Sequence, residues 1–363
     1  MLFICISLLV ALIYAILILV FAKGWDKMPR FTAEPENTPA LRLSIVVACK
    51  NEALHLPALL LALQNQSNKD FELVLVNNNS TDDTSSVMES AKRIFNKIII
   101  VECRENGKKQ ALKAGIQAAT GEMIVTTDAD CRPHPEWIAT ICSFLHKHPS
   151  DLLIGPVNTS APISFLGKLQ QLEFVTLVAS GAGAAGAGMP VMCNGANLAF
   201  TNKAWLESQT DLHEEQISGD DVFLLLSIKK RKGTIRFLKS EKAMVTTAVA
   251  PDLKSFVRQR MRWTSKAPAY TDFHLILTAL AVFGISVVQL GLLFLSFLSI
   301  QFFIGYLTVF GIKLLVDFIF CTKLKDFFSL QLSPRLLLSL SFLYPFYITS
   351  VVVLTATSRK KKW

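Results

Sequence analysis

The run Ile124-Val125-Thr126-Thr127-Asp128-Ala129-Asp130 passes from β-branched apolar residues to two acids one residue apart. Such a run reads as a buried strand, and two carboxylates at its mouth cannot both lose water unless positive charge meets them. Hard oxygen ligands on a short arrangement suit Mg2+ or Mn2+ holding a phosphate-bearing substrate. Asp also caps turns where strands end, so the D-x-D pair alone supports both readings. A second pair stands in Ser218-Gly219-Asp220-Asp221, just before a helical pattern over residues 222–230. Capping and the helix dipole account for one acid there; a second beside it needs another reason.

The elements that must position these acids are legible upstream. Residues 41–49 form a β-branched strand closed by Lys50-Asn51-Glu52, residues 54–64 a helix, and residues 71–76 a second strand. The polar loop Asn77-Asn78-Asn79-Ser80-Thr81-Asp82-Asp83 follows, then a helix over 84–95 and a third strand over 98–101. Asn106-Gly107-Lys108-Lys109 opens a helix through residue 119, and the fourth strand ends in Asp128 and Asp130. Strands alternating with helices predict an α/β domain with a mostly parallel sheet, in which ligands collect at the carboxyl ends of the strands. Every polar cluster just named falls at such an end. Further on, residues 137–146 read as a helix, 151–157 as a strand, and 198–200 as a short apolar run. The Gly-Ala segment 181–188 lacks the Lys-Ser/Thr of a P-loop and reads as small-residue packing or a mobile segment.

Of 363 residues, 51% are hydrophobic, and the mean hydropathy is +0.41, which implies part soluble domain and part bilayer segment. Residues 1–22 read as an uncleaved transmembrane anchor, with no basic start of the kind a signal peptide carries. Lys23, Lys27 and Arg30 follow it, so the positive-inside rule places the next domain in the cytoplasm of a multi-pass inner or plasma membrane protein. The expected organisation is a linker at 23–40 with Pro35 and Pro39, a catalytic domain at 41–252, and a basic amphipathic helix at the membrane surface at 253–272. A transmembrane region of two to three spans at 273–356, including Pro345, and a basic tail at 357–363 complete it. Three later spans would put Arg359-Lys360-Lys361-Lys362 outside, so either one apolar segment is re-entrant or interfacial or the tail is an exception to the charge rule. The seven scattered cysteines contain no C-x-x-C pair, which favours reduced thiols over a disulfide framework or a zinc site. The net charge of +9 comes without the basic-aromatic motifs of a nucleic-acid module, and anionic lipid headgroups account for it.

Several motifs stand in a fixed order: Ser44-Ile45-Val46-Val47-Ala48-Cys49-Lys50-Asn51-Glu52, Val76-Asn77-Asn78-Asn79-Ser80-Thr81-Asp82, Asn106-Gly107-Lys108, Asp128-Ala129-Asp130, Gly219-Asp220-Asp221 and Gln259-Arg260-Met261-Arg262-Trp263. In that order, over residues 44–263, the chain resembles the family-two glycosyltransferases, in particular membrane-anchored inverting enzymes related to ceramide glucosyltransferases and polysaccharide synthases. The resemblance implies a GT-A-like nucleotide-sugar-binding domain flanked by N-terminal and C-terminal transmembrane helices. It implies donor contacts at Ala48, Asn51, Glu52, Asn78, Lys108 and Asp128, a divalent metal (Mg2+ or Mn2+) on Asp130, and a catalytic base at Asp221. Asp220, Gln259, Arg262 and Trp263 would serve the acceptor or the diphosphate. Asn77 and Asn78 replace acids usual in the second motif, which leaves the base of the nucleotide open, although an amide still pairs with a pyrimidine edge. Asp220 stands where the family has Glu, and Gln-x-x-Arg-Trp fits without departure. For Trp263 a sugar platform and a membrane-interface anchor are both open.

The implied activity is inverting transfer of a sugar from a nucleotide diphosphate donor, a UDP-sugar being expected, to a lipid or lipid-linked acceptor. A processive polysaccharide synthase is one alternative. A non-enzymatic scaffold with a decayed transferase domain is another, and Asn77 with Asn78 speaks for it. A nucleotidyl or phosphoglycosyl transferase would also need acids, a metal and a bilayer, but not Gln-x-x-Arg-Trp ahead of the closing spans.

Overall fold

The computed structural model describes residues 2–33, 41–160, 163–212 and 219–358. Its first half runs α1 (Leu2–Lys27), β1 (Leu43–Cys49), α2 (Leu56–Gln64), β2 (Glu72–Asn77), α3 (Thr84–Ala91), β3 (Ile98–Glu102), α4 (Lys108–Ala118) and β4 (Met123–Thr126). Then come β5 (Arg132–Pro133), α5 (Trp137–Lys147), β6 (Leu152–Ile154), β7 (Val157–Thr159), α6 (Phe165–Gly186), β8 (Leu198–Thr201) and α7 (Asn202–Ser208). The remainder is α8 (Asp220–Lys230), β9 (Ile235–Phe237), β10 (Val245–Thr247), α9 (Leu253–Thr264), α10 (Phe273–Leu295), α11 (Ile300–Leu324) and α12 (Pro334–Thr357). The chain divides into a sheet unit, Met28–Ser160 with Met192–Ala248, and a helical unit, Met1–Lys27 with Ala161–Val191 and Val249–Lys362.

In the sheet unit the strands order as β3-β2-β1-β4-β8-β6-β9. Ile45, Val46 and Val47 of β1 are fully buried, as a central strand covered on both faces requires. β1 is parallel to β2 and to β4, with Cys49 beside Asn77 and Val46 beside Thr126, and β2 is parallel to β3. The loops that follow β1, β2, β3 and β4 therefore leave from one edge of the sheet. β8 runs antiparallel to β4, pairing Leu198 with Thr126, so the segment that enters β8 reaches the same edge. A second, small sheet in the order β5-β10-β7 flanks the chain after Asp130.

In the helical unit, α1, α10, α11 and α12 are each long and apolar enough to cross a membrane. α1 continues to Lys27, past the expected boundary at residue 22, because Trp25 is buried there against Phe327 and Phe328, with ring centroids 5.2 and 5.9 Å away. One ion pair lies inside the spans. Lys313 and Asp317 form an ion pair on α11, Tyr14 donates to Asp317 at 2.7 Å, and the ammonium lies over the rings of Tyr14 and Tyr344. α12 continues through Pro345. Residues Ala161–Val191, expected within a 41–252 catalytic domain, belong instead to the helical unit. The reason lies in the small residues. A Cβ at Gly183 of α6 would come 2.3 Å from the Phe21 carbonyl oxygen of α1, and one at Gly24 would come 2.0 Å from that of Gly183. The backbones touch where side chains are missing, which is how helices associate without a hydrophobic drive between them. The Gly-Ala segment is thus packing surface. Pro35, Pro39, Ser218 and the basic tail from Arg359 to Lys362 lie outside the described residues.

Substituting Gly183→Val should lower the stability of the helical unit by about 1–3 kcal/mol through overpacking against α1. Thermal unfolding in detergent reads this as a lower midpoint, while Gly311→Ala on α11, where a Cβ meets nothing within 4 Å, should leave the midpoint unchanged or raise it.

Candidate active site

Asp128 and Asp130 leave the end of β4 half-buried, held by a backbone bond from Cys131 N–H to the Asp128 carbonyl at 3.0 Å. Asp130 Oδ2 accepts from Thr247 Oγ1 at 3.3 Å, so the small sheet aims this carboxylate. No lysine or arginine among the described residues stands within ion-pair distance of Asp130. Glu52, from the loop after β1, faces the same pair. Burial raises its carboxyl above the usual carboxylate range, a hydrogen bond with His55 at 3.0 Å opposes this, and the charges of Asp130 and Asp128 raise it further. Burial, with Asp128 and Asp130, likewise pushes the Cys131 thiol up, so this cysteine is inert packing under the acids.

The first loop is clamped onto the second. Asn51 has a left-handed backbone, φ 57°; its side-chain oxygen accepts from Thr81 N–H at 2.8 Å, and its own N–H donates to Ser80 Oγ at 3.1 Å. Glu52 N–H donates to Thr84 Oγ1 and Ala53 N–H to Asp82. Hydrogen bonds from Thr84 hold the Asp82 carboxyl below the usual range. Asn78 is buried. Its amide nitrogen donates to the carbonyls of Glu105 and Cys103, and its oxygen accepts from Gly107 N–H at 3.0 Å. Asn78 thereby ties the loop after β3 to the loop after β2. Ala48, half-buried, precedes the last residue of β1 beneath these loops.

Gly107, with φ 119°, turns the chain into α4 and delivers Lys108 and Lys109 at its first two positions. Cations at a helix N-terminus oppose the dipole and so need acids nearby. Lys108 pairs with Asp128. Lys109 is buried, donates to the Leu212 carbonyl, and pairs with Asp220 Oδ1 at 3.5 Å. Gly219, with φ 105°, plays the corresponding part ahead of α8, delivering Asp220 and Asp221 where the dipole favours anions. Burial raises the Asp220 carboxyl above its usual range, Lys109 pulls it back, and the charge of Asp221 raises it again; Lys108 also acts on it favourably.

Asp221 is placed by the sheet. Thr126, the last residue of β4, donates to the Gly195 carbonyl at 2.7 Å, and Gly195 N–H donates to Asp221 Oδ2 at 3.1 Å. That loop is anchored by the buried Asn197, which accepts from the Trp137 indole at 2.9 Å and donates to the carbonyls of Pro156 and Ala243. Asp221 is thus two hydrogen bonds from the strand that ends in Asp128 and Asp130. The sheet unit gathers Glu52, Lys108, Asp128, Asp130, Asp220 and Asp221 into one set. Among the described residues no three His, Cys, Asp or Glu side chains converge as a ready-made metal cage. An unpaired Asp130 beside Asp128 fits a cation that takes its other ligands from diphosphate oxygens and water, as Mg2+ and Mn2+ commonly do.

Gln259, Arg262 and Trp263 belong to α9 of the helical unit. Between them, Arg260 is buried in a two-pronged ion pair with Glu173 of α6, which also accepts from Tyr347 at 3.3 Å. The Arg260 guanidinium lies 4.2 Å from the Trp263 ring centroid and 4.6 Å from that of Phe256, and it donates to Gln259 Oε1 at 2.7 Å. Arg260, to which the motif gives no role, is what holds Gln259 and Trp263 in place. Lys109, Asn197 and Gly195 also form the site, without a place in the motifs. For Lys109 the signal was its place beside Lys108 at a helix start.

Profiles of glycosyl transferase family 2 and of glycosyl transferase family group 2 match residues 44–192 and 123–353 respectively. The chain belongs to the family 2 group of glycosyltransferases. The chain is 34% identical over 117 residues to a PGL/p-HBAD biosynthesis glycosyltransferase of Mycobacterium tuberculosis, covering 31% of this chain and 46% of that protein. It is 33% identical over 102 residues to the undecaprenyl-phosphate 4-deoxy-4-formamido-L-arabinose transferase of Proteus mirabilis, covering 27% of this chain and 31% of that one. The chain thus spans less than half the length of these curated relatives. The solved mannosyltransferase PcManGT from Pyrobaculum calidifontis, in complex with GDP-Man and Mn2+, superposes with a TM-score of 0.62 at 17% identity over 99% of this chain and 100% of that one. The fold is GT-A-like, as the motif order implies.

The Lys109–Asp220 pair carries a pH signature. Because the folded-state pKa of Asp220 is raised, the folded protein holds the proton more tightly than the unfolded chain. Stability therefore falls as pH rises from the ordinary carboxylate value through the raised one. Lys109→Met removes the opposing charge, which should steepen and extend this fall and cost about 3–5 kcal/mol at neutral pH. Melting curves across pH check it, and adding Asp220→Asn should flatten the slope.

Proposed function

We propose that the transferase moves a sugar from a nucleotide diphosphate donor to a lipid or lipid-linked acceptor, with inversion at the anomeric carbon and with Asp221 as the base. The observation that supports this best is the hydrogen-bonded path Thr126–Gly195–Asp221, which joins the D-x-D strand to the second acidic pair. An acceptor hydroxyl titrates far above neutrality, so a positioned carboxylate must take its proton as the new bond forms. Asp221 has its Oδ2 fixed by Gly195, and Asp220 beside it is occupied with Lys109. The two neighbouring acids therefore divide the work: Asp221 accepts the proton, and Asp220 holds the start of α8 against α4.

On the donor side, Ala48 and Glu52 border the nucleotide, Asn51 and Asn78 keep its loops in register, and Lys108 with Asp128 faces the sugar and phosphates. A bound Mg2+ or Mn2+ on Asp130 would offset the charge that grows on the departing diphosphate. Lys108 adds positive charge on the same side, and such charge is worth more in the transition state than in the bound donor. For the acceptor, the four candidate spans and the printed substrate of the Proteus mirabilis relative favour a lipid phosphate or lipid-linked glycan. The helical unit offers Gln259, Arg262 and Trp263 of α9 to it. The membrane helices and the basic stretch after α1 support a catalytic unit on the cytoplasmic side.

Purified protein in detergent with Mn2+, a panel of nucleotide sugars and total lipid extract should yield a glycosylated lipid detected by mass, its anomeric configuration opposite to that of the donor. Asp221→Asn should lower turnover by about 10²–10⁴-fold while donor binding persists; full turnover would remove the base assignment. Asp130→Ala should abolish the metal dependence of donor binding, and unchanged dependence would remove the metal assignment.

A further inference from the structure

Within the helical unit a small, partly open groove of about 50 Å³ lies between α6 and the turn that joins α11 to α12. Lys168, Gln171 and Leu172 line one wall, and residues 329–332 with Leu336 line the other. The groove's chemistry is one-sided: a cation, amides and a hydroxyl, with leucines behind them and no acid. The Lys168 ammonium has no hydrogen bond or ion pair among the described residues, and the Gln331 amide has none either. Arg335, next to Leu336 in the chain but outside the groove's own lining, is a second positive charge at the start of α12. It stacks on the Phe165 ring at 5.0 Å and pairs with no acid among the described residues. Three other cations of this unit are matched, in Lys313–Asp317, Lys323–Asp26 and Arg260–Glu173.

The position of the groove names its occupant. The turn between α11 and α12 sits at the end of α1 that carries Trp25 and Asp26, fixed by the Trp25–Phe327 and Trp25–Phe328 ring contacts and the Asp26–Lys323 ion pair. From that end the chain continues at Met28 into the sheet unit. Turns that join membrane-spanning helices lie at the headgroup level, where basic pockets between helices take anionic lipid heads. We infer that this groove binds the phosphate of a membrane lipid, with Lys168 and Arg335 as counter-charges, the Gln331 amide donating to a phosphate oxygen, and Leu172, Leu330, Leu332 and Leu336 against the first methylenes. The inference rests on the chain spanning a membrane and not on the sugar or the base that the transferase uses.

The test uses the full chain purified in mild detergent and native mass spectrometry of bound lipid, with phosphatidylglycerol, diacylglycerol of the same acyl chains, and inorganic phosphate as probes. Wild-type protein should retain phosphatidylglycerol over diacylglycerol, and Lys168→Gln with Arg335→Gln should weaken that retention by about tenfold or more. Should the double variant fold poorly, Gln331→Ala, on the exposed turn, should weaken retention several-fold, and Lys168→Arg, which keeps the charge, should keep the retention that Lys168→Gln loses. Equal retention of the two lipids, or retention unchanged in the variants, overturns the inference. Displacement of phosphatidylglycerol by inorganic phosphate at equal concentration assigns the groove to soluble phosphate and overturns the lipid assignment. Donor hydrolysis measured without added lipid should be the same in wild type and variants, which separates failure of this site from failure of the transferase reading.

Discussion

Lys108 and Lys109, adjacent at the start of α4, are the two cations around which the acids of the sheet edge are arranged. One pairs with Asp128 and the other with the largely buried Asp220 side chain, so a single helix start ties the D-x-D loop to the start of α8. Each lysine opposes the dipole of its own helix, and each acid of α8 is favoured by its own, so the pairing across the two helices satisfies both. Among the described residues, Glu52, Asp130 and Asp221 have no such lysine. Among the described residues the edge thus gathers more carboxylates than cations, and a carboxylate that has lost part of its water is stabilised by positive charge nearby.

The parallel sheet is what brings these groups to one edge. β1, β2 and β4 are in register and run the same way, so their loops emerge together, and β8 returns antiparallel to place Gly195 against both Thr126 and Asp221. The positive φ at Gly107 and Gly219 lets each charged pair follow its loop without a helical lead-in. Chemistry thus depends on backbone geometry more than on any single side chain. Asn77 and Asn78, at the end of β2, serve the loops themselves through their amide hydrogen bonds.

Much of this was readable from the chain. β-branched runs mark β1, β2 and β4 unmistakably, and the acids after β4 and before α8 announce themselves by spacing. What escaped did so for physical reasons. α6 ends in a Gly-Ala run with no apolar periodicity, and its affiliation with the helical unit follows from close backbone approach to α1, which composition alone does not reveal. Arg260 looks like one more surface cation of a basic helix until its partner Glu173, far away in the chain, removes it from water. Asn78 reads as a base-pairing amide, yet its bonds go to the loop after β3. In each case the deciding contact is long-range, and a local pattern carries no record of it.

The central claim is that the acids at the sheet edge are completed by a divalent cation that arrives with the donor's diphosphate. Electron paramagnetic resonance of Mn2+ with purified protein tests it most directly, comparing UDP, GDP and no nucleotide. The account predicts about one bound Mn2+ per chain when the matching nucleoside diphosphate is present and weak binding without it, because Asp130 and Asp128 alone do not make a full ligand set. Equally tight binding without nucleotide, or no bound Mn2+ with any nucleoside diphosphate, would contradict it.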